Sequence, residues 1–207
     1  NASSVFEDVK YFDAYDNIII DISAMPRGIY FSLIGKLIFL LTESDKAKKR
    51  KTINLYVVIS ESIAYDEKIQ EIGLDDVATY MHGFSKGIEM ESTEGIPKIW
   101  VPLLGENQNN QLERIYNLVQ PQETCPVLPS PSLNMRRADN LITEYHRFLF
   151  EAWDVEPRNM IYVSERNPFE VYREITQIVR HYNEALSPLG GCRATISAVS
   201  SKLLSIG

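Results

Sequence analysis

NIIIDISAMPRGIYFSLIGKLIFLLTE, residues 17–43, is the stretch that decides the fold. It opens with a continuous run of β-branched residues closed by small polar ones, which predicts a buried strand over Asn17–Ser23. Apolar residues then cover most of the surface of a predicted helix over Gly28–Glu43, and INLYVVIS at 53–60 predicts a second buried strand. Because parallel neighbours need a crossover connection, this order predicts two parallel strands joined by the helix.

The same order of strand and helix recurs along the rest of the chain. Further strands are predicted at Lys98–Leu104, Thr124–Leu128, Asn159–Ser164 and Ala194–Ser200, and further helices at Asn110–Val119, at Ala138–Trp153, at 167–186 and from Ser201. We therefore predict an α/β fold of three layers, with helices on both faces of a mostly parallel, Rossmann-like sheet of about six strands. Residues 3–207 are expected to form a single domain with an insertion at 73–96. Residues 1–2 are interpreted as a tag remnant and the chain as a fragment of a longer protein.

Local signals refine this outline at three places. Asn110, with a glutamate three residues later, has the spacing of a capping box. Asn167-Pro168 followed by Glu170 has the N-cap, the first-turn proline and the box glutamate of another helix start. Pro102 lacks a backbone N–H, which predicts that its strand lies at a sheet edge, carries a bulge or ends there.

The composition excludes several classes of function. The chain is 44% apolar and 24% charged, as in an ordinary globular protein, and its net charge is -7. A polyanion or an anionic membrane would be repelled, so non-specific nucleic-acid binding and membrane binding are not expected. No signal peptide is visible and the two cysteines form no disulfide framework, which predicts a cytoplasmic protein. No cofactor and no metal are predicted, since dinucleotide and P-loop motifs are absent and the three histidines lie far apart.

Polar and charged residues follow most of the predicted strands. Serine hydroxyls, guanidinium groups and helix N–H groups hold phosphate and carboxylate oxygens, and the carboxyl ends of parallel strands share one edge. We therefore predict a site for a small anionic molecule, nucleotide-like or otherwise phosphorylated. An alternative reading is that the serines and asparagines only cap helices and that each arginine only neutralises a neighbouring glutamate. The candidate ligand-binding residues are Asp21, Ser23, Arg27, Glu106, Asn107, Asn109, Arg136, Arg137, Glu165, Arg166, Ser201 and Lys202.

The first strand and its loop, Asp21-Ile-Ser-Ala-Met-Pro-Arg27, resemble the start of CARF-type domains. These Rossmann-like domains of prokaryotic defence regulators bind cyclic oligonucleotides, and in them a strand, an Asp-x-Ser/Thr and a helix follow one another. The resemblance covers residues 17–45. It implies that Ser23 and Arg27 face the ligand and that the protein forms a homodimer. Our first hypothesis is a sensing domain that passes the signal to other parts of the same polypeptide. Residues 24–27 depart from the Gly-Gly-Thr-Lys-like pattern usual in that family, which leaves the nature of the ligand open.

Two other functions remain open at this point. Asp21, Glu106 and Glu165 would serve a metal-dependent phosphoesterase or nucleotide hydrolase, as Mg²⁺ ligands or as a general base. The third hypothesis is a structural or interaction domain without a ligand.

Overall fold

The computed structural model describes residues 9–12, 14–46, 52–60, 77–81, 84 and 95–207. They contain seven strands and several helices in an α/β arrangement with parallel sheets, which confirms the predicted fold class. The chain divides into two compact units, one made of residues 1–73 and 80–86 and the other of residues 74–79 and 87–207. The strands form one sheet of two and one of five. Most of the predicted insertion at 73–96 and of a charged segment at 46–51 lies outside the described residues.

The first unit contains residues 17–43, the stretch that decides the fold. Its elements are a 3₁₀ turn at Val9–Phe12, β1 at Asn17–Asp21, α1 at Arg27–Lys46 and β2 at Asn54–Val58. The two strands are parallel, with Asn17 opposite Asn54 and Asp21 opposite Val58, as the crossover argument predicts.

The second unit is built on the five-stranded parallel sheet. Its elements are β3 at Lys98–Leu103, α2 at Asn109–Val119, β4 at Glu123–Thr124, β5 at Val127–Pro129, α3 at Arg137–Glu144, a π-helix at Arg147–Ala152, 3₁₀ turns at Pro157–Asn159 and Ser187–Leu189, β6 at Ile161–Val163, α4 at Pro168–Ala185, β7 at Arg193–Ala198 and α5 at Lys202–Ser205. On one side of β3 lie β4 and β5, with β6 beyond β5, while β7 pairs with β3 on its other side. The chain therefore moves outward from β3 to β6 and then crosses back to β7.

Helices cover both faces of this sheet. On one face Trp100 and Leu104 belong to the same buried cluster as side chains of α2, α3 and the π-helix, such as Leu112, Leu141 and Leu149. On the other face, Ile99, Val101 and Leu103 belong to a second cluster with α4 and α5. Alternate residues of β3 thus enter opposite clusters, as the two-residue period of a strand requires. The second unit by itself is a three-layer fold.

Pro102 is the next-to-last residue of β3 and lies inside the sheet, so of the three predicted alternatives a nearby strand end agrees with the structure and a sheet edge is wrong. Its strand, β3, pairs on both sides. On the side of β4 and β5, the backbone N–H of Cys125 donates to Trp100 O at 2.8 Å and that of Leu104 donates to Val127 O at 3.0 Å. Pro102 falls between these two bonds, at the gap between β4 and β5, so its missing N–H coincides with an interruption of the ladder. The backbone of Pro126 faces the other neighbour, β6, since its carbonyl accepts from the Ile161 N–H at 2.9 Å.

Two of the predicted helices differ from the observed ones. The predicted helix over Ala138–Trp153 is α3 followed by a π-helix, in which the Trp153 N–H reaches back five residues to Phe148 O at 2.8 Å. The predicted capping box at Asn110 is wrong, since the N-cap of α2 is Gln108 and no side chain caps it. The N-cap at Asn167 is confirmed: its side chain accepts a hydrogen bond from the backbone N–H of Glu170.

Candidate functional site

In the first unit, Asp21 and Ser23 join the ends of the two strands. The backbone N–H of Ser23 donates to Asp21 Oδ1 at 2.9 Å, and the backbone N–H of Ser60 donates to Ser23 Oγ at 2.8 Å. Arg27 is the first residue of α1. The carboxylate and the hydroxyl therefore stabilise the turns that follow β1 and β2, a local role that short polar side chains often take.

In the second unit, Arg137 connects three loops at the carboxyl edge of the sheet. Its Nε and Nη2 donate to the two carboxylate oxygens of Glu106, each at 2.8 Å, and its Nη1 pairs with Glu165. Glu106 follows β3, Arg137 follows β5 and Glu165 follows β6, so three predicted site residues meet. The backbone N–H of Leu133 also donates to Glu165 Oε2 at 3.0 Å. The arrangement is a bidentate ion pair extended by a second carboxylate.

The electrostatics of Glu106 reflect this contact. Burial alone would raise the pKa of Glu106, but the hydrogen bonds and the positive charge of Arg137 bring that pKa below its ordinary value. Glu106 is therefore held as a carboxylate. The alternative interpretation, in which an arginine only neutralises glutamates, therefore holds for Arg137. Its guanidinium is paired with two carboxylates of the chain itself.

The asparagines after β3 contact α3 and hold a turn. The backbone N–H of Asn107 donates to Glu144 Oε1 at 2.8 Å, and Asn109 Nδ2 lies 3.4 Å from the same oxygen. Asn107 has a φ of 61°, a left-handed conformation that asparagine tolerates better than most residues. Glu144 was not among the predicted site residues, because nothing in the local sequence of a helix indicates which loop its carboxylate will reach.

Tyr145 is a second residue outside the predicted site that holds the loop after β3 in place. It is fully buried, accepts a hydrogen bond from the backbone N–H of Gln108 at 2.9 Å and donates to Gly105 O at 2.5 Å. Burial raises the pKa of Tyr145 well above its ordinary value, so the phenol stays neutral and keeps both bonds. The loop after β3 is thus held by Tyr145 from the core and by Glu144 from the surface.

The loops after β3 and β7 approach each other closely. A Cβ on Gly105 would lie 2.6 Å from Val199 O and 3.0 Å from Ser200 Cα, distances that side chains do not accept. Ser201 follows as the N-cap of α5, where its hydroxyl accepts from the backbone N–H of Leu204 at 3.3 Å, and Lys202 is the first residue of that helix. Gly105 therefore lets two loops of neighbouring strands pack backbone to backbone.

Arg136 and Arg166 differ from Arg137. Both are exposed, and neither has an ion-pair partner among the residues that the structure describes. Arg136 immediately precedes α3, and Arg166 lies between β6 and α4. Their guanidinium groups are available to a ligand at the carboxyl edge of the sheet.

The hypothesis of a metal-dependent hydrolase draws no support from this arrangement. Glu106 and Glu165 meet, but a guanidinium occupies the space where an ion would sit, and Asp21 belongs to the first unit. Within the described part of the chain, no group of three or more histidine, cysteine, aspartate or glutamate residues is arranged to hold a metal ion.

A further sequence motif falls mostly outside the described residues. Gly83-Phe-Ser-Lys-Gly87 has the G-x-S-x-G spacing of a nucleophile elbow, and Phe84 is its only described residue. Such an elbow needs a strand directly before it. Residues 77–81 contain no strand, so the described residues before the motif do not provide that context.

Comparisons with known proteins give no indication of the function. No family model, no curated protein and no solved structure matches this chain. Among the helices of the described residues, none combines the length and the apolar character needed to cross a membrane.

Proposed function

We propose that the second unit binds a small anionic molecule, nucleotide-like or otherwise phosphorylated, at the carboxyl edge of its sheet. The observation that carries this proposal is the strand order. The chain moves from β3 through β5 to β6 in one direction, and β7 then returns to the far side of β3. In open parallel sheets, ligands bind at the carboxyl edge near the point where the order reverses. Here the loops after β3 and β7 pack against each other at Gly105, so we assign the ligand to the neighbouring loops, after β5 and β6, which carry Arg136 and Arg166.

The charges at this edge favour an anion over the loops after β5 and β6. Arg136 and Arg166 are exposed and have no ion-pair partner within the described residues, whereas Arg137 is held between Glu106 and Glu165. We therefore assign Arg136 and Arg166 as the ligand-contacting arginines and Arg137 as the residue that positions their loops. Guanidinium groups bind phosphate and carboxylate oxygens through paired hydrogen bonds.

Apolar side chains in the same two loops favour a ligand that also has a planar or apolar part. Leu133 and Met135 lie close in sequence to Arg136, and Phe169 follows Arg166 on the first turn of α4. All three are exposed, Phe169 to 82%. An exposed aromatic ring beside arginine is suited to stacking on a base. A nucleotide presents both the phosphate and the base.

A nucleotide ligand would agree with a cytoplasmic location. Cys125 and Cys192 are free thiols, as is usual in a reducing compartment. The resemblance of residues 17–45 to CARF-type domains adds cyclic oligonucleotides to the candidate ligands, and it adds homodimer formation and action on other parts of the polypeptide to the proposal.

The test is a thermal-shift screen of mononucleotides, cyclic oligonucleotides and sugar phosphates, followed by calorimetry on the best compound. A specific ligand at a hundred times its Kd should stabilise the protein by about 2.7 kcal/mol. Arg166→Ala should weaken binding by about tenfold or more, because a hydrogen bond to a charged group contributes about 1.5–3 kcal/mol.

Arg180→Ala is the matched control. Arg180 is also exposed on α4, but it lies twelve residues beyond Pro168, about 18 Å along the helix from its first turn. Equal effects of the two substitutions, or failure of every compound in the screen, would leave the scaffold hypothesis as the better account.

A further inference from the structure

A second site is formed at the opposite edge of the same sheet, near the amino ends of β4 and β6. The second half of α4 covers these strands and leaves a cavity of about 400 Å³. This volume is near the lower end of the range typical of ligand pockets, roughly 300–1,000 Å³. The cavity is lined by Glu123, Cys125, Arg158, Asn159, Ile161, Ile178, His181 and Tyr182.

A chain of hydrogen bonds fixes the polar wall of this cavity. The Cys125 thiol donates to Tyr182 Oη at 3.6 Å, and the Tyr182 hydroxyl lies 3.4 Å from Asn159 Oδ1, which accepts its hydrogen. Asn159 Nδ2 in turn donates to Glu123 Oε2 at 3.0 Å. In this series of hydrogen bonds each donor points toward the carboxylate of Glu123, so Glu123 acts only as an acceptor. A carboxylate can accept several hydrogen bonds at once.

The floor and the rim of the cavity differ in character. Cys125 and Ile161 are buried, and burial raises the pKa of the Cys125 thiol, which keeps the floor uncharged. Glu123, Arg158 and His181 are exposed, so the charged groups lie where the cavity opens to solvent. The His181 ring packs edge-on against Tyr182, with ring centroids 5.9 Å apart.

The rim presents both signs of charge. Arg158 uses its Nε in an ion pair with Glu156, and its two terminal nitrogens retain further donors. Glu123 retains acceptor capacity beyond the one hydrogen bond from Asn159. An anion alone would be repelled by the carboxylate, and a cation alone by the guanidinium. A ligand that carries both charges on its head group matches both.

From this geometry we infer that the cavity binds a zwitterionic small molecule with an apolar body, of the kind represented by a free amino acid with an aromatic or branched side chain. Its ammonium group donates to Glu123, its carboxylate accepts from Arg158 and His181, and its side chain packs against Cys125, Ile161 and Ile178. This site is independent of the proposed nucleotide site, since the two occupy opposite ends of the strands.

The test compares three probes by calorimetry: L-phenylalanine, 3-phenylpropionate, which lacks the ammonium group, and 2-phenylethylamine, which lacks the carboxylate. L-Phenylalanine should bind, and each analogue should bind about tenfold more weakly or worse, because each loses one charge-assisted hydrogen bond. Absence of binding by all three, or equal affinity for L-phenylalanine and one analogue, would overturn the inference.

Glu123→Gln separates the role of the carboxylate from general effects. It should weaken the binding of L-phenylalanine and 2-phenylethylamine and leave the binding of 3-phenylpropionate unchanged or stronger. Glu113→Gln, at an exposed position of α2 outside the cavity, should change the affinity for none of the three probes. Bound L-phenylalanine should also slow alkylation of Cys125, which lines the cavity, and not of Cys192, which does not. Equal protection of the two thiols, or an unchanged affinity in Glu123→Gln, would contradict the inference.

Discussion

Replacing Arg137 by methionine should destabilise the second unit by about 3 kcal/mol. The side chains of Arg137 and Glu165 are only 16% and 12% exposed, whereas that of Glu106 is 43% exposed. Breaking a buried pair costs about 3–5 kcal/mol and losing an exposed one about 0–1 kcal/mol. We assign about 2 kcal/mol to the Glu165 pair, because its groups are not fully buried, and about 1 kcal/mol to the Glu106 pair. Methionine preserves the packing of the apolar stem.

The assay is urea unfolding followed by tryptophan fluorescence. Both tryptophans of the chain, Trp100 and Trp153, belong to the buried cluster of the second unit, so the signal reports on that unit. With an m-value of about 2 kcal/mol/M, a loss of about 3 kcal/mol moves the midpoint down by about 1.5 M urea. Glu165→Gln should lower the free energy of unfolding by about 2 kcal/mol and Glu106→Gln by about 1 kcal/mol, because the Glu165 side chain is the more buried of the two.

The pH dependence gives an independent check on the same contact. Because the folded-state pKa of Glu106 lies below its ordinary value of 4.5, the contribution of Glu106 is complete above that pH and is lost as the pH falls through the lowered pKa. The difference in unfolding free energy between the wild-type protein and Arg137→Met should therefore stay constant from pH 7 to about pH 4.5 and narrow as the pH falls further, toward the lowered pKa of Glu106. The reasoning fails if Arg137→Met unfolds within about 0.5 kcal/mol of the wild-type protein at pH 7, which is the range of ordinary surface substitutions. A cost for Glu106→Gln above that for Glu165→Gln would also refute it.

Two further substitutions test the backbone around the site. Gly105→Ala should cost about 1–3 kcal/mol, because its Cβ would meet Val199 O at 2.6 Å and buried backbone has little room to move, and urea unfolding would show it. A cost near zero would mean that the loops after β3 and β7 separate easily. Asn167→Ala should cost about 1 kcal/mol through the lost N-cap of α4, while Asn167→Asp should preserve most of the stability. Identical melting temperatures for the two variants would show that the cap contributes nothing.

Features that depend on adjacent residues were predictable. The run of isoleucines after Asn17 indicated a strand because β-branched residues favour extended backbone. The prediction that this strand is buried was wrong for one face, since Ile20 is buried but Ile19 is 70% exposed. The cap at Asn167 was predictable because an N-cap acts on N–H groups only two or three residues ahead. Leu141, Tyr145 and Leu149 lie four residues apart in sequence and are all buried, since a helix puts residues four apart on one face.

Features that depend on pairing between distant segments could not be predicted from the sequence. The central position of Pro102 was not predictable, because the strands that pair with β3 on its two sides come from segments far along the chain. Arg137 was expected at an anion because nothing near it in sequence is a partner, and both of its carboxylates come from other loops. No feature of the sequence indicated the mixed-charge cavity. Its rim combines the end of α4 with residues that precede or begin two strands, and these segments are distant in sequence.

The sequence by itself determined the class of fold and the composition of the carboxyl edge, since hydrophobic periodicity and the need for crossovers act within single segments. Only the tertiary structure decided which arginine is neutralised and which are exposed, because Coulomb interactions and hydrogen bonds depend on distances between side chains that strand order sets. The packing of α4 on β4 and β6 likewise produced the cavity at the amino ends of these strands, because residues distant in sequence come together there.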